Sequence, residues 1–254
     1  MKIIISPAKK MNRKNDFLTP RQLPACIEKA DRLKEYLRGL SLGELKQILN
    51  CSEAIAREAY ENYREMDLYH QTLPAVLAYE GIQYQYMAPQ VFEAPQYEYI
   101  EQHLRILSGF YGILRPFDGV VPYRLEMQAK LKTSFCRNLY DFWGGTLYEM
   151  LTREGDEVIV DLASKEYSQG VKTYKNDKIR WITCTFGEWE EGKIREKGVY
   201  VKMARGEMVR YMAKNRIRDI EMLKNFCGLG YEYNESLSAS DRYVFLRGKT
   251  KKGI

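Results

Sequence analysis

Histidine is almost absent from this chain. Its two copies, His70 and His103, stand at no spacing that would place both on one ion, so neither a zinc nor an iron site is expected. Paired cysteines are absent too: Cys26, Cys51, Cys136, Cys184 and Cys227 lie singly along the chain, and their odd number argues against a closed disulfide framework. Reduced thiols are expected. The sequence also lacks a P-loop and the glycine fingerprint of dinucleotide-binding proteins, and no cofactor is expected. No run approaches the roughly 18 apolar residues of a membrane span. The stretch of Ile3, Ile4 and Ile5 is too short for the core of a signal peptide. These absences point to a soluble chain of the cytoplasm with no membrane partner.

What is present is a chain of 254 residues, 45% hydrophobic and 13% aromatic, enough to fill a sizeable core without staples. Its formal charge is +6, and the excess is concentrated. Residues 193–224 hold ten Lys and Arg against four Asp and Glu, a surplus of six that equals the excess of the whole chain. Such clustering suits a phosphate-binding surface, because each neutralised phosphate releases counterions. A solvated basic helix face would look the same from charge alone.

Residues 2–5 read as a short β-branched strand, central in its sheet and closed by Ser6 and Pro7. Ile27, Ala30, Leu33 and Leu37 recur at helical spacing, with Gly39 as a stop. Ser41 and Glu44 make a capping-box pattern at the head of a second helix, and a third follows Ser52. Residues 72–100, rich in Tyr and Gln, read as short strands and turns, ending in a helix over 96–107. Farther on come a helix over 139–151 despite Gly144 and Gly145, a strand over 157–162, and a hairpin over 179–196 turning at Glu191 and Gly192. A helix over 199–215 and a last strand over 243–246 follow. Strands interleaved with helices predict an α/β or mixed α+β fold, one domain over residues 1–254 without repeat or linker.

Two apolar strands end alike. Residues 3–5 give way to Ser6, Pro7, Ala8 and Lys9; residues 158–162 give way to Ala163, Ser164, Lys165, Glu166 and Tyr167. In α/β sheets, ligands sit beyond the carboxyl ends of the strands, where helix N-termini present free N–H groups. If the two strands are parallel neighbours, both clusters line one crevice. A plain N-cap at Ser164 and a solvated Lys9 are the bland alternative. In the helix over 199–215, Val201, Ala204, Met208, Tyr211 and Met212 form an apolar stripe, and at about 100° per residue Arg205 falls inside it. An arginine there requires a partner, either a carboxylate such as Glu126 or Glu166 or a ligand phosphate.

Residues 107–116 and 122–127 set Gly109, Gly112, Arg115, Arg124 and Glu126 in apolar surroundings. A helix C-cap and a tight turn account for the glycines; nothing local accounts for the arginines and the glutamate. Residues 223–230 match the first half of a helix–hairpin–helix, but the sequence from Tyr231 onward is not helical. The helix pair over 27–37 and 41–49 is the better candidate, although it lacks the glycine pair that lets backbone amides approach a phosphate.

Six segments in order carry a resemblance: IISPAK at 4–9, LSGFYGILRP at 107–116, PYRLEM at 122–127, LYDFWG at 139–144, LASKEY at 162–167 and KMARGEMVR at 202–210. Together they resemble the YaaA family of bacterial peroxide-stress resistance proteins. The resemblance implies an α/β fold with a mixed sheet flanked by helices, a basic cleft and a helix–hairpin–helix-like element. It also implies binding to duplex or branched DNA, and a cytoplasmic role in limiting free iron and the DNA damage that iron promotes. The matching positions are Ser6, Lys9, Arg115, Tyr123, Arg124, Glu126, Trp143, Ser164, Glu166, Tyr167, Lys202, Arg205 and Arg210. Lys165, where the family often has an acid, and Met203, where it can have a second lysine, depart from the pattern.

Two functions follow. In the first, a monomeric DNA-binding protein, the cleft contacts DNA through Lys9, Arg115, Tyr123, Arg124, Trp143, Tyr167, Lys202, Arg205 and Arg210. In the second, an enzyme on a nucleotide or nucleobase, Ser164, Glu166 or Glu126 acts as acid, base or nucleophile, because binding alone needs only positive charge. Binding is the first expectation. The two diverge at the acids: if the arginines occupy Glu126 and Glu166 fully, they are scaffolding, and if one keeps a free oxygen in a pocket, catalysis gains weight.

Overall fold

The computed structural model describes residues 1–13 and 18–248. Its strands are β1 (Lys2–Ile5), β2 (Lys10–Met11), β3 (Leu73–Pro74), β4 (Tyr79–Glu80), β5 (Leu104–Ser108), β6 (Gly112–Leu114), β7 (Gly119–Val120), β8 (Val158–Leu162), β9 (Arg180–Glu190), β10 (Lys193–Arg195), β11 (Tyr231–Tyr233) and β12 (Arg242–Arg247). The α-helices are α1 (Ile27–Arg38), α2 (Leu42–Leu49), α3 (Glu53–Glu65), α4 (Ala75–Ala78), α5 (Ile82–Met87), α6 (Ala94–His103), α7 (Leu139–Trp143), α8 (Thr146–Thr152), α9 (Lys165–Lys172) and α10 (Gly198–Lys214). None of these helices is long and apolar enough to cross a membrane.

Eight of the described strands form one mixed sheet in the order β11-β12-β9-β8-β1-β5-β6, with β10 attached to β9. The inner run from β12 to β5 is parallel, and the edge strands β11 and β6 are antiparallel to their neighbours. The fold is therefore α/β with a mixed sheet. β1 is central because it can be nothing else: Ile3, Ile4 and Ile5 are all 0% exposed, the continuous burial of a strand covered on both faces. It lies parallel to β8 with Ile5 opposite Leu162, so the two strands end at the same level.

Local signals act where expected. Ser41 Oγ accepts from the Glu44 N–H while Glu44 accepts from the Ser41 N–H at 2.8 Å, closing the capping box of α2. The β9–β10 hairpin turns at Glu191 and Gly192, both left-handed with φ of 52° and 77°, as a type I′ turn requires.

Three expectations are corrected, the last only in part. The helix expected over 96–107 ends at His103, and Leu104–Ser108 is strand β5, buried throughout against β1. A short apolar run does not distinguish helix from strand, and the open edge of β1 decides it. Gly109 therefore sits in the β5–β6 turn and Gly112 opens β6, neither of them at a helix end. The helix expected over 139–151 breaks at Gly144, whose φ of +50° separates α7 from α8. The stretch read as short strands and turns does hold the short strands β3 and β4, but also the helices α4 and α5.

Residues 223–230 fall in two 3₁₀ turns, Ile220–Asn225 and Gly228–Gly230, that lead into β11. α1 and α2 are joined through Gly39, Leu40 and Ser41.

α10 is the longest helix of the described residues and crosses α5 at Gly206. A Cβ there would strike the Gln83 carbonyl oxygen and come within 2.9 Å of the Met87 nitrogen. Glycine permits this approach, which sets Arg205 beside Gln83.

Candidate functional site

A cavity of about 380 Å³ opens beyond the carboxyl ends of β1 and β8. Its floor is the meeting of the two strand ends: Ser6 Oγ accepts from the Ser164 N–H at 2.8 Å, and the two hydroxyls are 3.2 Å apart. The Tyr84 hydroxyl donates to the Ser6 carbonyl at 3.0 Å. Ser164 occupies the N-cap position of α9, yet its hydroxyl makes no capping bond. It turns instead toward Ser6.

One wall is the segment from Tyr123 to Glu126. Tyr123 stacks on Phe110 at 5.0 Å, and its hydroxyl meets those of Ser108 at 2.6 Å and Tyr79 at 2.8 Å. Burial pushes its phenol up to about 12. Glu126 Oε1 takes two cations, Arg124 at 2.7 Å and Lys9 at 3.0 Å. Glu126 Oε2 and Arg124 Nε are buried without a partner. Gly109 explains how this wall sits so close to the sheet, since a Cβ there would lie 2.5 Å from the Leu125 carbonyl oxygen. The Trp143 indole N–H donates to the Gly109 carbonyl at 2.9 Å and holds that turn in place.

α10 and α5 supply another part of the lining, bringing Lys202, Arg205 and Gln83. Arg205 breaks the apolar stripe as predicted, but the expected pairing with Glu126 or Glu166 is not made. Glu126 is taken by Arg124 and Lys9, and Glu166 Oε1 accepts from the Gln128 N–H at 3.2 Å. Arg205 forms no ion pair with any described residue, and its Nε is buried without a partner. Burial lowers its pKa, opposed through space by the charges of Asp161 and Glu196. Asp161 is 3% exposed and accepts from the Ala163 N–H at 3.0 Å and the Trp181 indole at 3.2 Å. Burial still raises its carboxyl to about 6, against those bonds and the Arg205 charge.

Ten of the thirteen predicted positions line this cavity: Ser6, Lys9, Tyr123, Arg124, Glu126, Ser164, Glu166, Tyr167, Lys202 and Arg205. Three do not. Arg115 lies at the opposite end of the sheet, paired with Glu154 at 2.8 Å beside Lys2 and Arg105. Trp143 is 1% exposed and fills the core behind the wall. Arg210 points outward from α10. Sequence reasoning passed over Gln83, which is 7% exposed with its Nε2 unpartnered, along with Tyr84, Lys10 and Glu80. The one available signal was Gln83 standing four residues before Met87, the spacing of one buried helix face.

The cavity lining carries five cations, Lys9, Lys10, Arg124, Lys202 and Arg205, against Glu80, Glu126 and Glu166. Three buried donors, on Gln83, Arg124 and Arg205, and one buried acceptor, on Glu126, have no protein partner. Such a set can hold an anion and a hydrogen-bond donor together.

A family model described as peroxide stress protein YaaA matches residues 1–237. The chain is 58% identical over 252 residues to a UPF0246 protein of Desulfitobacterium hafniense, covering 99% of this chain and 100% of the relative. It is 50% identical over 250 residues to a UPF0246 protein of Lachnoclostridium phytofermentans, covering 98% of each. A UPF0246 protein of Pediococcus pentosaceus is 45% identical over 252 residues, covering 99% of this chain and 100% of the relative.

Proposed function

Since the chain belongs to the YaaA family of peroxide stress proteins, we propose that it binds DNA in the cytoplasm through this cleft and protects it from the damage that free iron promotes under peroxide. The observation that carries the reading is Arg205. A guanidinium with a buried, unpartnered Nε is costly to hold in place, and a phosphate would satisfy it with paired, charge-assisted bonds. Lys202 stands exposed on the same helix, and the cationic surplus of residues 193–224 extends the attraction beyond the cavity.

The test is fluorescence anisotropy with duplex and branched DNA across a salt series. Wild type should bind with an affinity that falls linearly on logarithmic axes. Arg205→Gln should bind about tenfold more weakly and lose close to one phosphate from the slope, about 0.9. An affinity and slope unchanged by the substitution would remove the cleft from the DNA surface.

A second reading rests on the free Glu126 oxygen. In it, the cleft acts on a nucleotide or nucleobase, with Glu126 exchanging a proton with the bound molecule. Ser164 is a weaker candidate, because among the described residues its hydroxyl is hydrogen-bonded to that of Ser6 and to no base. Chromatography of nucleotides and DNA incubated with wild type and Glu126→Gln decides it: a product made only by wild type supports catalysis, and no product from either ends that reading.

A further inference from the structure

We infer that the cleft receives one unstacked nucleotide, its phosphate at Arg205 and its base edge between Gln83 and Glu126, an inference that rests on the nucleic-acid reading of the site. Size is the first ground. At about 380 Å³ the cavity sits at the small-ligand end of the roughly 300–1,000 Å³ range of binding pockets. A duplex, whose major groove alone is about 12 Å wide, does not enter such a space.

The second ground is hydrogen-bond sense. Three of the unpartnered buried atoms, on Gln83, Arg124 and Arg205, are donors, and phosphate oxygens could satisfy all of them. The fourth, Glu126 Oε2, is an acceptor and needs an N–H or O–H. The sugar–phosphate backbone of DNA, away from strand ends, offers acceptors only. Base edges offer N–H groups: in a paired duplex those of the pairing edge are occupied, and the amino hydrogens left free in the grooves belong to a duplex too wide to enter the cavity. An acceptor buried at 15% side-chain exposure inside a cavity therefore selects a base that has left its partner.

The third ground is the walls. Tyr84, Tyr123 and Tyr167 are each at most 7% exposed, and the hydroxyls of Tyr84 and Tyr123 are already bonded within the protein. They offer rigid apolar surface rather than polar contacts, which suits a base removed from its stack. The close crossing at Gly206 holds Arg205 beside Gln83, and both line the same cavity as Glu126.

The experiment uses a duplex carrying 2-aminopurine at a mismatch, which brightens when it unstacks, with anisotropy read on the same samples. At saturation, wild type should raise the fluorescence severalfold. Gln83→Met and Glu126→Gln, each first shown to melt like wild type, should cut the rise at saturation about fivefold. Saturated binding without brightening overturns the inference and leaves DNA binding standing. If no DNA binds, the DNA reading fails, and calorimetry with free deoxynucleoside monophosphates takes over. Binding lost in Arg205→Gln then keeps the nucleotide site with a free ligand as its occupant, and no heat with any of them overturns the inference.

Discussion

Substituting Gly206 by alanine should weaken this protein, against the rule for helices. In a helix interior, glycine to alanine stabilises by about 0.5–1 kcal/mol, because the unfolded chain loses freedom. At Gly206 the new methyl meets backbone: the Gln83 carbonyl oxygen, the Met87 nitrogen at 2.9 Å and the Gln83 carbonyl carbon at 3.0 Å. None of these atoms can rotate away, so α10 and α5 must separate. Overpacking of this kind costs about 1–3 kcal/mol, and backbone contacts place it at the upper end. The net effect is a loss of about 2 kcal/mol. Gly43, in α2, provides the control, since nothing lies within 4 Å of its hypothetical Cβ. Gly43→Ala should stabilise by up to about 1 kcal/mol. Urea denaturation with equal m-values would show midpoints moving in opposite directions. Because the crossing also sets Gln83 beside Arg205, Gly206→Ala should weaken DNA binding even where the protein remains folded. If Gly206→Ala proves as stable as wild type, the tight crossing is wrong, and with it the positioning of Arg205.

Two further outcomes follow. Ser6→Ala should cost about 1–3 kcal/mol in thermal or chemical unfolding, because it strands the Ser164 N–H, whereas Ser164→Ala, which removes no cap, should cost under about 1 kcal/mol; equal costs would refute this account of the floor. Asp161, with a folded pKa of about 6 against an ordinary 3.8, binds its proton more tightly when folded, so its contribution makes the protein more stable as pH falls from above 6 toward 4. Its carboxyl resonance should titrate near 6 by NMR and shift higher still in Arg205→Gln, which removes a charge that holds it down; a midpoint near 4 would refute the burial argument.

Much of the site could be read from the sequence because its signals are local. An isoleucine run breaking into Ser6 and Pro7, a second apolar run breaking into Ser164, and an arginine inside an apolar stripe each need only a few residues to be seen. What stayed hidden depends on tertiary contact. Leu104–Ser108 becomes strand only because β1 offers it an edge. Gln83 belongs to a six-residue helix too short to show a period, and its burial comes from α10 crossing above it. The paired or free state of Glu126 depends on Arg124 and Lys9, the latter 117 positions away, and no spacing rule reaches that far. Arg115 and Trp143 were drawn to the site by belonging to motifs. Trp143 reaches it only through Gly109, whose close approach to Leu125 it supports.

The pairing of β1 with β8 also imposes an order on synthesis. Ile5 leaves the ribosome long before Leu162, the residue it will face, exists. At about 5–20 residues per second, the gap lasts roughly 8–30 s. Through that interval one side of the strand that carries Ile3, Ile4 and Ile5 has no permanent partner, and the floor of the cleft does not exist. Arg205 arrives later still, so a chain halted before α10 can own most of the hydrophobic core and yet have no place to hold an anion. The half-made protein thus carries an unpaired apolar strand edge, the kind of surface that pairs wrongly, before its cleft exists.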